Sequence, residues 1–239
     1  MEDFTEVQIS ATNPEHHDGL EVCENLYHFC GNALKISRDK YPSFGSYVWE
    51  AGLVLCEYFE KEKMSFTGKK VIELGSGTGI VGILAVLLGG NVTFTDQTFI
   101  LKKMKYNISV NIPPWLTNHT KVCALSWDDD LSCFPTDYDV ILGSDIVYSS
   151  SSYPSLLQTL QHLSNHSTTI YISSDVRPVN ECNVFHAEML PKHFHCERVH
   201  QSGNNRIHVY KLTKKQHTGD KELVWSEDAI NMGLRKSSD

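Results

Sequence analysis

Short apolar runs alternate with segments of helical periodicity through most of the chain. The apolar, β-branched runs predict strands, and the segments whose apolar residues recur every three or four positions predict helices. The predicted strands cover residues 69–74, 91–95, 121–125, 138–143 and 168–173, and the predicted helices cover residues 79–88, 99–110, 153–163 and 181–190. Such alternation is typical of an open, mostly parallel sheet with helices on both faces.

Antiparallel hairpins are predicted on both sides of this alternating region. Before it, two β-like runs flank Gly31-Asn32, a two-residue hairpin signal, and a helix is predicted over residues 48–63. After it, strands at residues 194–200 and 206–212 surround a Gly-Asn-Asn turn. The expected fold is α/β: a seven-stranded, Rossmann-like sheet with a terminal antiparallel hairpin, plus an N-terminal β-hairpin and helix.

The two polar ends of the chain are expected to lie outside the folded domain. Residues 1–24 are polar and acidic, which predicts a mobile segment, and residues 214–239 are polar, which predicts a disordered tail. Residues 25–213 then form one domain, as a length of 239 residues favours.

Composition narrows the class of protein. The net charge of −8 argues against nucleic-acid binding, because phosphate contacts need clustered Lys and Arg. The longest apolar run, residues 80–88, is too short to span a bilayer, so no membrane partner is expected. Seven cysteines without a C-x-x-C pair indicate reduced thiols and a cytoplasmic protein. His193, His195 and Cys196 are expected to be polar residues of a surface strand, and no metal site is predicted.

The densest chemical signal lies where the strand at residues 69–74 ends. Its apolar run includes Glu73, and then Gly75, Gly77 and Gly79 alternate with small polar residues before the next helix. Glycine tolerates positive φ and lets the backbone approach a ligand, and a helix N-terminus presents free N–H groups. This pattern predicts a nucleotide-type cofactor site at the carboxyl edge of the sheet.

Two cofactors fit this glycine loop. Gly77-x-Gly79-x-x-Gly82, with Asp96 nineteen residues after Gly77, matches the dinucleotide fingerprint of NAD-dependent dehydrogenases. Glu73-x-Gly75-x-Gly77-x-Gly79 matches the first motif of methyltransferases that use S-adenosylmethionine. The terminal hairpin and the lack of a second mononucleotide-binding half favour the methyltransferase.

Three residues are candidates for holding the methyl donor. Asp96 ends the second strand, where its carboxylate can accept both ribose hydroxyls; the alternative is a helix N-cap. Glu73 is expected to fix the loop and the amino-acid end of the cofactor. Trp127, after the third strand, offers an indole that can lie along the adenine or simply pack in the core.

A second group of candidate residues follows the fourth strand, in the segment from Gly143 to Tyr148. Asp145 and Tyr148 can both face the crevice opposite the glycine loop. Asp145 is expected to orient a lysine amine, and Tyr148 to contact its ammonium form through the ring face. A strand-end cap and a packed tyrosine are the structural alternative.

Five segments in this order and spacing carry a family resemblance. They are residues 47–51 (YVWEA), 71–82 (VIELGSGTGIVG), 92–96 (VTFTD), 125–127 (LSW) and 141–148 (ILGSDIVY). Together they resemble the seven-β-strand protein-lysine methyltransferases of methyltransferase family 16, the methyltransferase-like 21 group. The resemblance covers about residues 27–212.

The resemblance implies a class I methyltransferase fold, S-adenosylmethionine as cofactor and a protein substrate. The cofactor contacts that it implies lie at Trp49, Gly75, Ser76, Gly77, Asp96, Trp127 and Ser144. It also implies that Asp145 and Tyr148 begin and end a D-x-x-Y acceptor motif. Ser76 and Ser144 stand where the family usually has Ala, and residues 174–177 are more acidic than the family leads us to expect.

The substrate protein is expected from the same resemblance. Residues 30–34, 58–60 and 68–73 are most similar to elongation factor 1-alpha lysine methyltransferases, with relatives that act on Hsp70-type chaperones as the close alternative. The other alternative is a non-catalytic binding module that keeps the fold.

Two further patterns are expected to carry no function. Pro113-Pro114 resembles part of the N-P-P-[YF] motif of methyltransferases that act on bases, but it precedes the third strand instead of following the fourth, so it predicts a loop break. The N-x-[ST] sequons at Asn107, Asn118 and Asn165 are expected to be chance matches.

Overall fold

The computed structural model describes residues 7–9, 22–41, 44–176 and 184–216. Most of the predicted N-terminal segment, the start of the helix predicted at residues 181–190 and most of the predicted tail lie outside these residues. Within the N-terminal segment, Val7–Ile9 forms a short strand, and the next strand begins at Val22. The proposed domain boundaries stay a prediction.

The main sheet has seven strands in the order β6-β5-β4-β7-β8-β10-β9. The strands are β4 (Lys70–Leu74), β5 (Asn91–Asp96), β6 (Thr120–Ala124), β7 (Val140–Ser144), β8 (Thr169–Asp175), β9 (Phe194–Gln201) and β10 (Ile207–Lys214). β4 to β8 pair in parallel, and β10 runs antiparallel to both of its neighbours. The predicted α/β sheet with a terminal hairpin is therefore confirmed.

Helices cover both faces of this sheet. They are α1 (Glu50–Lys61), α2 (Ile80–Leu87), α3 (Leu101–Asn111), α4 (Tyr153–Leu163) and α5 (Leu190–His193), the last preceded by a π-helical turn at Phe185–Met189. Neighbouring residues of β4 alternate between two cores: Val71 packs with residues of α1 to α3, and Ile72 with residues of α4 and α5. None of the helices among the described residues has the length and apolar character needed to cross a membrane.

A second, three-stranded sheet consists of β1 (Val7–Ile9), β2 (Val22–Phe29) and β3 (Asn32–Asp39). Its hairpin turn is Cys30-Gly31, not Gly31-Asn32 as predicted, because Asn32 already pairs with Phe29. Cys30 and Gly31 have φ values of 53° and 74°, the two positive angles that a type I′ turn requires. The hairpin was predicted correctly, but its turn lies one residue earlier than predicted.

Candidate active site

A cleft of about 510 Å³ opens at the carboxyl edge of the parallel strands, below the segment that leads into α1. Ligand sites are typical of this edge in open α/β sheets. All the predicted site residues except Glu73 line the cleft: Trp49, Gly75, Ser76, Gly77, Asp96, Trp127, Ser144, Asp145 and Tyr148. The fold thus brings together residues that are almost one hundred positions apart in the chain.

The glycine loop forms one side of the cleft. Gly75, Gly77 and Gly79 have φ values of 60°, 54° and 84°, in the region that glycine adopts with least strain. A Cβ at Gly75 would lie 2.8 Å from Cγ2 of Ile146 on the opposite side, so the backbone itself forms the wall here. The loop leads directly into α2, whose first N–H groups lack intrahelical partners.

Asp96 lies at the end of β5 and faces the cleft. Its Oδ2 accepts a hydrogen bond from the Gly77 N–H at 2.8 Å, and its Oδ1 accepts one from the Gln97 N–H at 2.7 Å. Burial raises its pKa. Each carboxylate oxygen keeps a further lone pair for a ligand hydroxyl. Asp96 is not the N-cap of α3, which begins five residues later at Leu101.

Glu73 lies outside the cleft, unlike the other predicted site residues, whereas Ser76 lines it. Glu73 is only 1% exposed and packs behind the loop, against Gly82, rather than in the cleft. Burial raises its pKa to about 8, so its carboxyl group is mostly protonated at neutral pH. The Ser76 hydroxyl donates to the Glu73 carbonyl at 3.3 Å and accepts from the Thr95 N–H at 3.2 Å. The Ser76 hydroxyl therefore fixes the loop to β4 and β5.

Gly82 is the residue that completed the dinucleotide fingerprint. A Cβ at this position would overlap the Glu73 carboxyl group and the Phe94 ring. Gly82 therefore allows α2 to pack closely on the sheet, as a helix–sheet packing residue does.

The opposite side of the cleft holds Asp145 and Tyr148. Asp145 has φ of 55°, unusual for a residue with a side chain, and its N–H donates to the Ser173 carbonyl at 2.9 Å. Tyr148 is 52% exposed, and its ring lies 5.8 Å from Phe44 and 6.4 Å from Trp127, between centroids. Burial, followed by the charges of Asp96 and Asp145, raises the Tyr148 pKa, so the phenol stays neutral at physiological pH.

The aromatic segment at residues 44–49, which leads into α1, lines the cleft. Phe44 is 72% exposed at its rim, and the Tyr47 ring meets the Trp49 ring edge-on at 5.7 Å. The Arg38 guanidinium lies 4.8 Å from the centre of the Tyr47 ring. The available signal was the recurrence of aromatic residues between positions 41 and 49. Its placement over the cleft depends on long-range packing that no local pattern shows.

The charged side chains that line the cleft are all acidic. Asp96, Asp128, Asp145 and Asp175 line it, and the described residues that line it include no Lys, Arg or His. The Asp175 carboxylate accepts a hydrogen bond from Arg206 at 2.7 Å, which offsets part of that negative charge. Acidic and aromatic side chains together favour a cationic ligand.

Comparison with known proteins gives the family. A family model described as lysine methyltransferase matches residues 29–190, more than half of the chain. The chain belongs to the lysine methyltransferase family. EEF1A lysine methyltransferase 3 of Xenopus tropicalis is 46% identical over 195 residues, which are 81% of this chain and 86% of that protein. The protein N-lysine methyltransferase METTL21A of Danio rerio is 40% identical over 185 residues, 77% of this chain and 84% of that protein.

Solved structures agree on the fold. The 16S rRNA methyltransferase RsmC of T. thermophilus, solved with AdoMet and guanosine, aligns with a TM-score of 0.62 at 13% identity over 88% of this chain and 58% of that one. A TehB-like methyltransferase from Corynebacterium glutamicum aligns with a TM-score of 0.54 at 16% identity over 72% and 90%. The class I methyltransferase fold is thus confirmed, and the dehydrogenase alternative is wrong.

The protein is an S-adenosylmethionine-dependent protein-lysine methyltransferase, and its cleft fits that cofactor. Gly75 and Gly77 bring the backbone of the loop to the cleft, and Asp96 supplies oxygen acceptors with spare lone pairs. The described residues contain no group of three or more His, Cys, Asp or Glu side chains that could hold a metal ion. Nδ1 of His193 lies 2.8 Å from Nε2 of Gln161, within hydrogen-bond distance.

Proposed function

We propose that the protein methylates a lysine side chain of elongation factor 1-alpha, with the donor at the glycine loop and the lysine at Asp145 and Tyr148. The observation that carries the proposal is the division of one cleft into two unlike sides. One side is backbone with a hydrogen-bonded carboxylate, and the other is an exposed tyrosine beside an aspartate.

The donor side is assigned by chemical complementarity. Asp96 is proposed to accept the ribose hydroxyls, and Trp127 to lie along the adenine. Trp49, Gly75, Gly77 and Ser144 line the same cleft and would contact the rest of the cofactor. Ser76 would act by fixing the loop, since its hydroxyl is bonded to β4 and β5. When bound, S-adenosylmethionine supplies a methyl group activated by a positively charged sulfur.

The acceptor side would orient the lysine amine. Asp145 is proposed to attract the ammonium form. The ammonium then loses one proton to solvent water, and Asp145 holds the neutral amine in line with the methyl carbon. Tyr148 and Phe44 would enclose the lysine side chain, whose methylene groups need an apolar wall and whose nitrogen favours an aromatic face. The neutral Tyr148 phenol can donate a hydrogen bond, but it cannot accept the lysine proton as a base.

The choice of elongation factor 1-alpha rests on relatedness. The name of the relative with 46% identity specifies EEF1A. Residues 30–34 also resemble elongation factor 1-alpha lysine methyltransferases. An Hsp70-type chaperone is the alternative substrate, which rests on the sequence resemblance alone. A cytoplasmic location is proposed as well, because none of the described cysteines forms a disulfide.

The test offers both substrates to the purified enzyme. Recombinant elongation factor 1-alpha and an Hsp70, each made in a host that lacks this methyltransferase, are incubated separately with methyl-labelled S-adenosylmethionine. Mass spectrometry then locates the label. The proposal expects label on one lysine of elongation factor 1-alpha and no label on the Hsp70. Label on the Hsp70 alone would transfer the assignment to chaperones, and label on neither would overturn both.

A further inference from the structure

Asn107 occupies the middle of α3 and is fully buried, at 0% exposure. Its Oδ1 accepts a hydrogen bond from the Ser37 N–H at 2.9 Å. Its Nδ2 donates one hydrogen bond to the Ser37 carbonyl at 3.0 Å and another to the Thr78 carbonyl at 2.9 Å. A single amide therefore joins β3 to the glycine loop. Its burial also rules out Asn107 as a glycosylation site.

Asn111, one helical turn later, repeats two of these three hydrogen bonds. Its Oδ1 accepts from the Lys35 N–H at 2.7 Å, and its Nδ2 donates to the Lys35 carbonyl at 2.8 Å. Lys35 and Ser37 lie on β3, the edge strand of the three-stranded sheet, where N–H and C=O groups lack a strand partner. The two asparagines replace that partner and dock the sheet on α3.

Only Asn107 extends this docking to the cleft. Its additional acceptor, the Thr78 carbonyl, belongs to the peptide between Thr78 and Gly79. Gly77 and Gly79 both have positive φ. Because glycine has no Cβ, a peptide next to it can rotate at little steric cost. The same peptide presents the Gly79 N–H to the Ser76 carbonyl at 2.7 Å. Turning this peptide over would break both hydrogen bonds.

We propose that Asn107 is a positioning residue for the methyl donor: it holds the Thr78–Gly79 peptide and couples the donor site to the N-terminal sheet. Ser76 and Asp96 fix the first part of the loop, and Asn107 fixes the Thr78–Gly79 peptide that follows. The Asn107 amide is itself held by Ser37. The inference rests on the proposed role of the glycine loop, and it does not depend on which protein supplies the lysine.

The purely structural alternative is that Asn107 only docks the sheet. Asn111 separates the two, because it makes the same pair of bonds to β3 but, unlike Asn107, is not bonded to the Thr78 carbonyl. Asn107→Leu and Asn111→Leu each remove two bonds to β3, and only Asn107→Leu frees the Thr78 carbonyl. The dissociation constant for S-adenosylmethionine, measured by calorimetry on the full chain, is the readout.

We expect Asn107→Leu to raise this constant about tenfold, the typical effect of losing one buried hydrogen bond, and Asn111→Leu to leave it within about twofold. Equal changes in the two variants would overturn the inference. Asp96→Asn serves as the reference for the donor site itself. If Asp96→Asn weakens binding and Asn107→Leu does not, only the coupling is wrong; if neither does, the proposed donor site is wrong.

A measurement on the unaltered protein covers the case in which Asn107→Leu does not fold. Amide hydrogen exchange is followed by NMR with and without saturating S-adenosylmethionine. The Ser37 amide is held by Asn107, and the Lys35 amide by Asn111. Because local openings expose individual amides, we expect the cofactor to slow exchange at Ser37 about fivefold more than at Lys35. Equal slowing, or none at Ser37, would contradict the coupling.

Discussion

The donor and acceptor sides of the cleft are built in opposite ways. The donor side is fixed by hydrogen bonds between buried side chains and the backbone: the Gly77 N–H donates to Asp96, and the Ser76 hydroxyl links β4 to β5. The acceptor side is made of side chains that reach solvent, with Phe44 at 72% and Tyr148 at 52% exposure. A small cofactor needs a preformed socket, whereas a protein substrate can itself complete the acceptor side by covering these rings.

The difference extends to chain connectivity. The donor side comes mainly from two neighbouring parallel strands and the loops that follow them. The acceptor side joins the end of β7 to the aromatic segment before α1, almost one hundred residues away in the chain. Changes on the donor side should therefore alter cofactor affinity, and changes on the acceptor side should alter transfer at constant cofactor affinity.

The largest expected effect is at Asp145. Asn is the suitable replacement, because it tolerates the positive φ of this position and removes only the charge. Asp145→Asn should lower kcat/KM for the protein substrate about a hundredfold, the upper range for a hydrogen bond to a charged group. The dissociation constant for S-adenosylmethionine should stay within about twofold, as calorimetry can show.

Asp137→Asn is the matched control for that variant. Asp137 is exposed and pairs with Lys70 at the opposite edge of the sheet. Its loss should leave transfer unchanged, because exposed ion pairs contribute little. Weaker cofactor binding by Asp145→Asn would place this residue on the donor side and remove the distinction between the two sides.

Asp96→Asn should act on the donor side alone. The amide keeps one oxygen acceptor. It loses the negative charge that strengthens the hydrogen bonds from the Gly77 N–H and from the bound hydroxyls. The dissociation constant for S-adenosylmethionine should rise by about tenfold or somewhat more. At saturating cofactor, kcat should recover to near the level of the unaltered enzyme. A loss of kcat that excess cofactor does not restore would count against the ribose role.

Glu73 should make stability depend on pH. The folded protein holds its proton up to a pKa of about 8, whereas the unfolded chain releases it near the ordinary value of 4.5. Stability should therefore fall as pH rises through this window, by at most about 1.4 kcal/mol per pH unit. Glu73→Gln removes this contribution, so its free energy of unfolding should fall less between pH 5 and pH 8.

Urea unfolding of both proteins at several pH values checks this expectation. Burial lowers the pKa of His186 to about 3, which makes stability rise with pH between 3 and the ordinary 6.5. That contribution is common to both proteins and cancels in their difference. Parallel pH profiles would mean that Glu73 is ionised in the folded protein.

The smallest expected effect is on packing behind the donor loop. Gly82→Ala places a methyl group against the Phe94 ring and should lower the free energy of unfolding by about 1–3 kcal/mol. Gly203→Ala, in the last hairpin, meets open space and should change stability by less than about 0.5 kcal/mol. Thermal unfolding compares the two, and equal melting temperatures would show that α2 has room to move.

The donor side was predictable because its signals are local. An apolar strand, alternating glycines and an acid at the end of the next strand follow each other within residues 71–96, and parallel strands bring their carboxyl ends together. The location of Asp145 and Tyr148 in the cleft was predictable for the same reason, since they directly follow β7. The parallel sheet followed from the alternation of strand and helix patterns, and the terminal hairpin from two β-like runs around a Gly-Asn-Asn turn.

Other features depended on contacts that a linear pattern does not contain. Glu73 adjoins the loop in sequence, but successive side chains of a strand point to opposite faces, and its side chain points under α2. The aromatic segment at residues 44–49 follows β3 in the chain. β3 docks on Asn107 and Asn111, which lie seventy or more residues after the β3 residues that they bind. The hairpin turn shifted by one residue because Cys30 adopts positive φ.

The most direct test of the two-sided cleft is a crystal structure with S-adenosylhomocysteine and a lysine-containing substrate segment. The account predicts the ribose at Asp96 and the lysine nitrogen about 3 Å from the Asp145 carboxylate, beside the Tyr148 ring. A lysine that reaches the sulfur by another route, with Asp145 and Tyr148 out of contact, would contradict it.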